Sequence, residues 1–243
     1  MSEKSLPQKY HVPLRNRLAR SILQPTFRAL FYVLSPIRIT GRENIPKHGA
    51  YMIAFNHISL ADAPFLVAFW PRCPEVVGAI DVWNRKGQSI LARWYYGIPV
   101  HRGKYDRQVL KNMLAAVDAD LPLLISPEGG RSHKPGLRRA FTGVAYVMSK
   151  ADVPVIPVGI VGATEDYIQK AFKGKRPPLE MHVGKPLHLP QVSGTAEQRK
   201  IARQQNADLV MAYIARLLPP DYRGVYANHP AVSGEDRDPA QIE

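Results

Sequence analysis

The chain has 243 residues, 45% hydrophobic and 22% charged, a composition that excludes a disordered or fibrous chain and suits one domain with a good core. Its 33 Lys+Arg against 20 Asp+Glu leave a formal charge of +13 and favour anionic partners, while the single Cys73 excludes an intramolecular disulfide and a cysteine-built metal cluster. No zinc-finger spacing, RRM-like aromatic motif or long basic helix directs that charge toward nucleic acid, so none is expected as a partner.

The polar start lacks the apolar run of a signal peptide. Nowhere do ~18 uninterrupted apolar residues occur, so any membrane contact is expected to be peripheral. LRNRLARSIL and PTFRALFYVL place Leu14, Leu18 and Ile22, then Phe27, Leu30, Phe31 and Leu34, at helical spacing. Pro25 suits the first turn of a second helix, which predicts an N-terminal amphipathic helical pair. Arg15, Arg17, Arg20 and Arg28 lie among the apolar positions. Such helices either rest apolar side down on an anionic membrane or pack on the core.

From Ile37 onward, β-rich runs alternate with helical segments. The runs AYMIAF, EVVGAI, GIPV, LPLLIS, VPVIPVGIV and LEMHVG are predicted strands, and residues 63–69, 89–96, 108–119 and 138–150 are predicted helices. A longer helix is predicted over 196–218. This alternation predicts an α/β fold, and the short connections make its sheet mixed, flanked by helices. The expected organisation is a polar start and helical pair over 1–36, an α/β domain over 37–218, and an irregular, partly disordered tail over 219–243.

Three strand ends carry residues able to do chemistry. AYMIAF runs into Asn56 and His57, with Ser59 and Asp62 close behind, at the end of the strand where open α/β sheets place ligands. Asp62 either orients His57 or caps the helix that Pro64 begins, alone or in a capping box with Ser59. LPLLIS runs into Glu128, Gly129, Gly130, Arg131 and Ser132, where the glycines let backbone approach a ligand and Arg131 presents a planar fork. The alternative is a polar turn with Arg131 paired to Glu128. GIPV ends in His101, Arg102, Gly103 and Lys104, a cationic rim. Imidazole, titrating near ~6.5, can take a hydroxyl proton at physiological pH, and a carboxylate on its other nitrogen fixes the tautomer. There is no G-x-S-x-G elbow, no Walker A spacing and no paired metal-ligand spacing. What remains is a base for an acceptor hydroxyl beside guanidinium groups that hold an anion.

These blocks resemble those of the glycerolipid acyltransferase family, whose best-known members are 1-acylglycerol-3-phosphate acyltransferases. Asn56 to Asp62 matches that family's N-H-x4-D block, and Gly97 to Arg102 stands where its second block ends in arginine. Ser126 to Ser132 resembles F-P-E-G-T-R-S, with Ser126 for the usual Phe and Gly130 for the usual Thr, and Val153 to Val158 resembles V-P-V-I-P-V. The resemblance implies transfer of a fatty acyl group from a coenzyme A or acyl-carrier-protein thioester to a lysolipid hydroxyl, with no further cofactor and no metal. It implies His57 and Asp62 as the catalytic pair and Arg102, Lys104, Glu128, Gly129 and Arg131 as substrate-binding residues. The expected acceptor is lysophosphatidate, at the cytoplasmic face of the cell membrane. The alternatives are another lysophospholipid, glycerol phosphate or an aminolipid as acceptor, or a non-catalytic lipid-binding protein.

Overall fold

Among the residues that the computed structural model describes, 10–101 and 106–233, seven strands form one sheet. They are β1 (Ile37–Thr40), β2 (Met52–Phe55), β3 (Glu75–Ala79), β4 (Ile98–Val100), β5 (Leu123–Ile125), β6 (Val155–Val161) and β7 (Leu179–Val183). The order is β1-β7-β6-β2-β5-β3-β4, and every pairing is parallel except the antiparallel β6–β7. The mixed α/β sheet is as the alternating pattern predicts. β1 lies outside the predicted runs, because at the sheet edge its IRIT alternates half-buried with exposed side chains and so carries no apolar run.

Side chains of β2 alternate between two apolar layers, Met52 and Ala54 to one and Ile53 and Phe55 to the other. The first layer is closed by α5 (Arg107–Asp118), α6 (Thr142–Ala151) and α8 (Ala196–Arg216). The second is closed by α1 (Leu14–Leu34), α2 (Asp62–Phe69), α4 (Gln88–Tyr95) and α7 (Tyr167–Phe172), with the short α3 (Asp81–Asn84) leading into α4. The three central parallel strands β6, β2 and β5 therefore release their C-terminal ends side by side. Phe55 of β2 is in register with Val158 of β6, and Ala54 with Ile125 of β5.

Two expectations are corrected. The N-terminal pair is a single 21-residue helix, α1, running through Pro25. Proline inside a helix costs ~3 kcal/mol, and tertiary anchors on both sides of it hold the helix together. Gln24 donates to the carbonyls of Val67 and Trp70 at 3.0 and 2.7 Å, and Arg28 Nε donates to Ala68 O at 2.8 Å. Farther up, Asn16 donates to the Arg93 and Trp94 carbonyls, and the Arg20 fork grips Glu75 with both end nitrogens in a buried ion pair. The helix thus turns polar groups inward to carbonyls at the ends of α2 and α4, while Leu14, Leu18 and Ile22 face out at 67%, 58% and 66% exposure.

The second correction concerns residues 219–233, which are not an irregular tail. Two 3-10 turns (Pro220–Tyr222, Gly224–Tyr226) and α9 (Pro230–Ser233) bury Tyr222, Tyr226 and Ala231 against the first layer. Residues 234–243 lie outside the described residues. The same contacts shorten α6 against its prediction over 138–150. The Leu137, Arg138 and Ala140 N–H groups donate to Tyr222 O, Glu128 Oε2 and Tyr226 Oη, so they are spent on holding a loop instead of starting a helix.

Candidate active site

The turn after β2 is made by Asn56. Its buried amide donates to Ile160 O at 2.9 Å and accepts from Ile160 N at 2.7 Å, taking over the β6 groups that a longer β2 would have paired. The backbone at His57 is thereby freed from the ladder. It is caught instead by the loop after β5. His57 N–H donates to Glu128 Oε1 at 3.0 Å, and His57 O accepts from Ser132 N at 2.7 Å. His133 N donates to Ile58 O at 3.2 Å, continuing the stitch.

Asp62 is buried at the first position of α2, and its Oδ2 takes three donors: Ile58 N at 2.7 Å, Ser59 N at 2.8 Å and His57 Nδ1 at 2.8 Å. Backbone N–H groups can only donate, so Oδ2 is an acceptor and Nδ1 carries the ring proton. Nε2 then holds a free lone pair, without a hydrogen-bond partner among the described residues. Of the two readings of Asp62 from the sequence, the contact with His57 is made and the helix cap is not. Asp62 is the first residue of α2, after Ala61, and no side chain caps that helix, while Ser59 Oγ accepts Ala61 N–H and Asp62 Oδ2 accepts Ser59 N–H within the preceding turn. Burial pushes the Asp62 carboxyl above its usual range, opposed by the His57 bond and the Ser59 and Ile58 N–H groups. Asp62 Oδ1 is buried with no hydrogen-bond partner among the described residues. The Phe55 ring lies 5.4 Å from the imidazole, centroid to centroid, and gives it an apolar neighbour.

The loop after β5 is built around Glu128. One oxygen holds His57 N–H, and the other accepts Arg138 N at 3.1 Å and Arg138 Nε at 3.4 Å. Burial pushes this carboxyl up as well, against the His57 and Arg138 donors. Gly129 has φ +66°, and a Cβ there would lie 3.1 Å from Phe141, so the turn that aims the loop at His57 needs glycine. Arg131 does not pair with Glu128. Its Nη1 meets Glu165 at 3.1 Å, in the turn after β6, and the other oxygen of Glu165 lies 3.3 Å from His133 Nδ1.

An imidazole with one unpartnered nitrogen among the described residues thus stands at one strand end and a guanidinium at the next, on adjoining loops. The sequence profile described as Acyltransferase matches residues 36–161, just over half of the chain and the span that carries all of this except Glu165. The chain belongs to the acyltransferase family.

This acyltransferase is 24% identical over 139 residues to 1-acyl-sn-glycerol-3-phosphate acyltransferase alpha of Mus musculus, an alignment that covers 55% of the chain. It spans about half, 48%, of that relative's length. In fold it resembles the crystal structure of the 1-acyl-sn-glycerophosphate (LPA) acyltransferase PlsC from Thermotoga maritima, with a TM-score of 0.57 and 22% identity over 81% of this chain and 79% of that one. Among its described residues, no helix is long and apolar enough to cross a membrane.

Of the residues singled out in the sequence, the acyltransferase fold brings His57, Asp62, Glu128, Gly129 and Arg131 together. Arg102 and Lys104, which follow β4 two strands beyond β5, lie outside the described residues. Sequence reasoning missed Arg138, whose backbone and side chain complete the Glu128 bridge, and Glu165, the partner of Arg131. Glu165 had a usable signal: it stands four residues past the end of the apolar run VPVIPVGIV, where a third ligand-facing turn was due.

Proposed function

We propose that this acyltransferase moves a fatty acyl group from an acyl thioester, of coenzyme A or acyl-carrier protein, to the free hydroxyl of lysophosphatidate, giving phosphatidate. The observation that carries the reading is the His57 Nδ1–Asp62 Oδ2 bond of 2.8 Å, which leaves Nε2 as the proton acceptor. In the first step the acceptor hydroxyl attacks the thioester carbonyl carbon while His57 Nε2 takes the hydroxyl proton. The imidazolium that forms is held by Asp62. As the tetrahedral intermediate collapses, the C–S bond breaks and the departing thiolate takes that proton from His57. An ester and a thiol result, and the base is restored. Arg131, with Arg102 and Lys104 from the end of β4, binds the acceptor phosphate in this reading, because a guanidinium fork fits a phosphate through paired hydrogen bonds. That the mouse relative is a 1-acyl-sn-glycerol-3-phosphate acyltransferase supports the phosphate-bearing acceptor.

The reading places the enzyme on an anionic membrane surface, with the outward leucines and isoleucine of α1 in the lipid interface and Arg15 and Arg17 at its rim. An assay of purified protein with acyl-CoA and acyl-carrier-protein donors against lysophosphatidate, other lysophospholipids, glycerol phosphate and lyso-aminolipids, read by mass spectrometry, identifies donor and acceptor together. His57→Ala should lower turnover by ~10²–10⁴-fold with the melting temperature unchanged. Near-normal turnover by that variant, or acylation of every acceptor in the panel except lysophosphatidate, refutes the reading.

A further inference from the structure

Arg131 is not free to swing. Its side chain is mostly buried, and its two contacts with Glu165, 3.1 Å to Oε1 and 3.5 Å to Oε2, are both made through Nη1. Nη2 and Nε have no hydrogen-bond partner among the described residues, so one edge of the fork remains open. A carboxylate competing with a ligand for the whole group would close that edge with two parallel bonds, the geometry that arginine and carboxylate favour. Glu165 does not.

The carboxylate is itself held. It follows β6 in a turn opened by Gly162 at φ +89°, closed by Thr164 N donating to Gly162 O and Tyr167 N donating to Thr164 O, and its second oxygen faces His133. His133 in turn is tied through its N–H to Ile58 O, one residue from the base. A chain of contacts therefore runs from the catalytic turn through His133 and Glu165 to Arg131. It links the ends of β2, β5 and β6.

We propose that Glu165 is a positioning residue that sets the affinity for the acceptor. It anchors Arg131 by one nitrogen and presents the remaining edge of the fork to the acceptor phosphate. The inference rests on the reading of Arg131 as a phosphate ligand given above. Ordering a flexible arginine before the ligand arrives removes part of the entropy that binding would otherwise cost, so the gain lies in acceptor affinity and not in the chemical step.

The test is a cycle of four proteins, wild type, Glu165→Ala, Arg131→Ala and the double variant, assayed with lysophosphatidate and checked for folding by thermal melts. Glu165→Ala should raise the KM for lysophosphatidate by about tenfold and leave kcat within about twofold. In the Arg131→Ala background the same change should have little further effect, because the other contact of Glu165, with His133, is exposed on both sides and contributes little. Glu165→Gln, which keeps an acceptor oxygen at the same reach, should lie closer to wild type than the alanine variant. A lower KM in Glu165→Ala would make Glu165 a competitor for Arg131 and overturn the inference, as would an unchanged KM or equal effects with and without Arg131. If Arg131→Ala raises KM but Glu165→Ala does not, the phosphate reading stands and this inference alone fails. If Arg131→Ala leaves KM unchanged, the phosphate reading fails and the inference falls with it.

Discussion

Glu128 stands in the block expected to touch substrate, yet both of its oxygens are taken by the protein itself. Replacing it with glutamine keeps the shape and removes one acceptor. The two carboxylate oxygens receive two backbone N–H groups, His57 at 3.0 Å and Arg138 at 3.1 Å, and an amide can receive only one of them. The other then faces a donor with a donor. A buried group left unsatisfied costs ~1–3 kcal/mol. At about 2–4 °C per kcal/mol for a chain of this size, the melting temperature should fall by about 2–12 °C. If the amide turns its nitrogen toward His57, the turn bearing the base shifts, and a displacement of 1 Å at a reacting group costs ~10²-fold in rate. Glu128→Gln should therefore lower kcat by roughly 10–100-fold, with KM for lysophosphatidate changing little. Steady-state kinetics and thermal melts on the same preparation measure all three. A selective rise in KM with kcat and melting temperature intact would mean that Glu128 contacts the acceptor and does not position the base.

Asp62 predicts a pH dependence. Its carboxyl is raised from 3.8 by burial, so between that value and the folded one the native state holds more protons than the unfolded state. Stability must then fall as pH rises through that window. Asp62→Asn lacks this share, so its melting temperature minus that of wild type should rise as pH rises above the ordinary carboxylate range, while its turnover drops at least ~10²-fold; a difference that stays flat or falls with pH refutes the assignment. Outward substitutions test α1 without disturbing its inner anchors. Burying a leucine or isoleucine contributes ~1.5–3 kcal/mol, so Leu18→Glu with Ile22→Glu should weaken binding to anionic vesicles by at least ~10²-fold at an unchanged melting temperature, and equal co-sedimentation of the variant rules out this face.

The parts of this molecule legible in its sequence are those whose signal is local. Buried central strands such as VPVIPVGIV announce themselves as apolar runs, and His57 and Asp62 lie only five positions apart, so their contact was one of the two readings that the spacing left open. Pro25 misled because the cost of a helical proline is local while its compensation comes from Gln24 and Arg28, reaching carbonyls some 40 residues away in sequence. The pairing of Arg131 with Glu165 spans 34 positions, and nothing in either neighbourhood names the other. The segment after Pro219 reads as an irregular tail because, among its described residues, only Tyr222, Tyr226 and Ala231 are buried, at isolated positions that no periodicity links.

Those two tyrosines have a bearing on how the enzyme is made. Tyr222 holds the Leu137 N–H through its carbonyl and the Gly162 N–H through its hydroxyl, while Tyr226 accepts Ala140 N–H and donates to Asp208. The loop bearing Glu128 and Arg131 and the turn leading to Glu165 are thus both fastened by residues made more than 50 positions later in the chain. Synthesis runs from the N-terminus at ~5–20 residues per second. A nascent chain that has already emerged with His57, Asp62, Glu128 and Arg131 still lacks the clasp that holds their loops, until Tyr222 and Tyr226 have followed them.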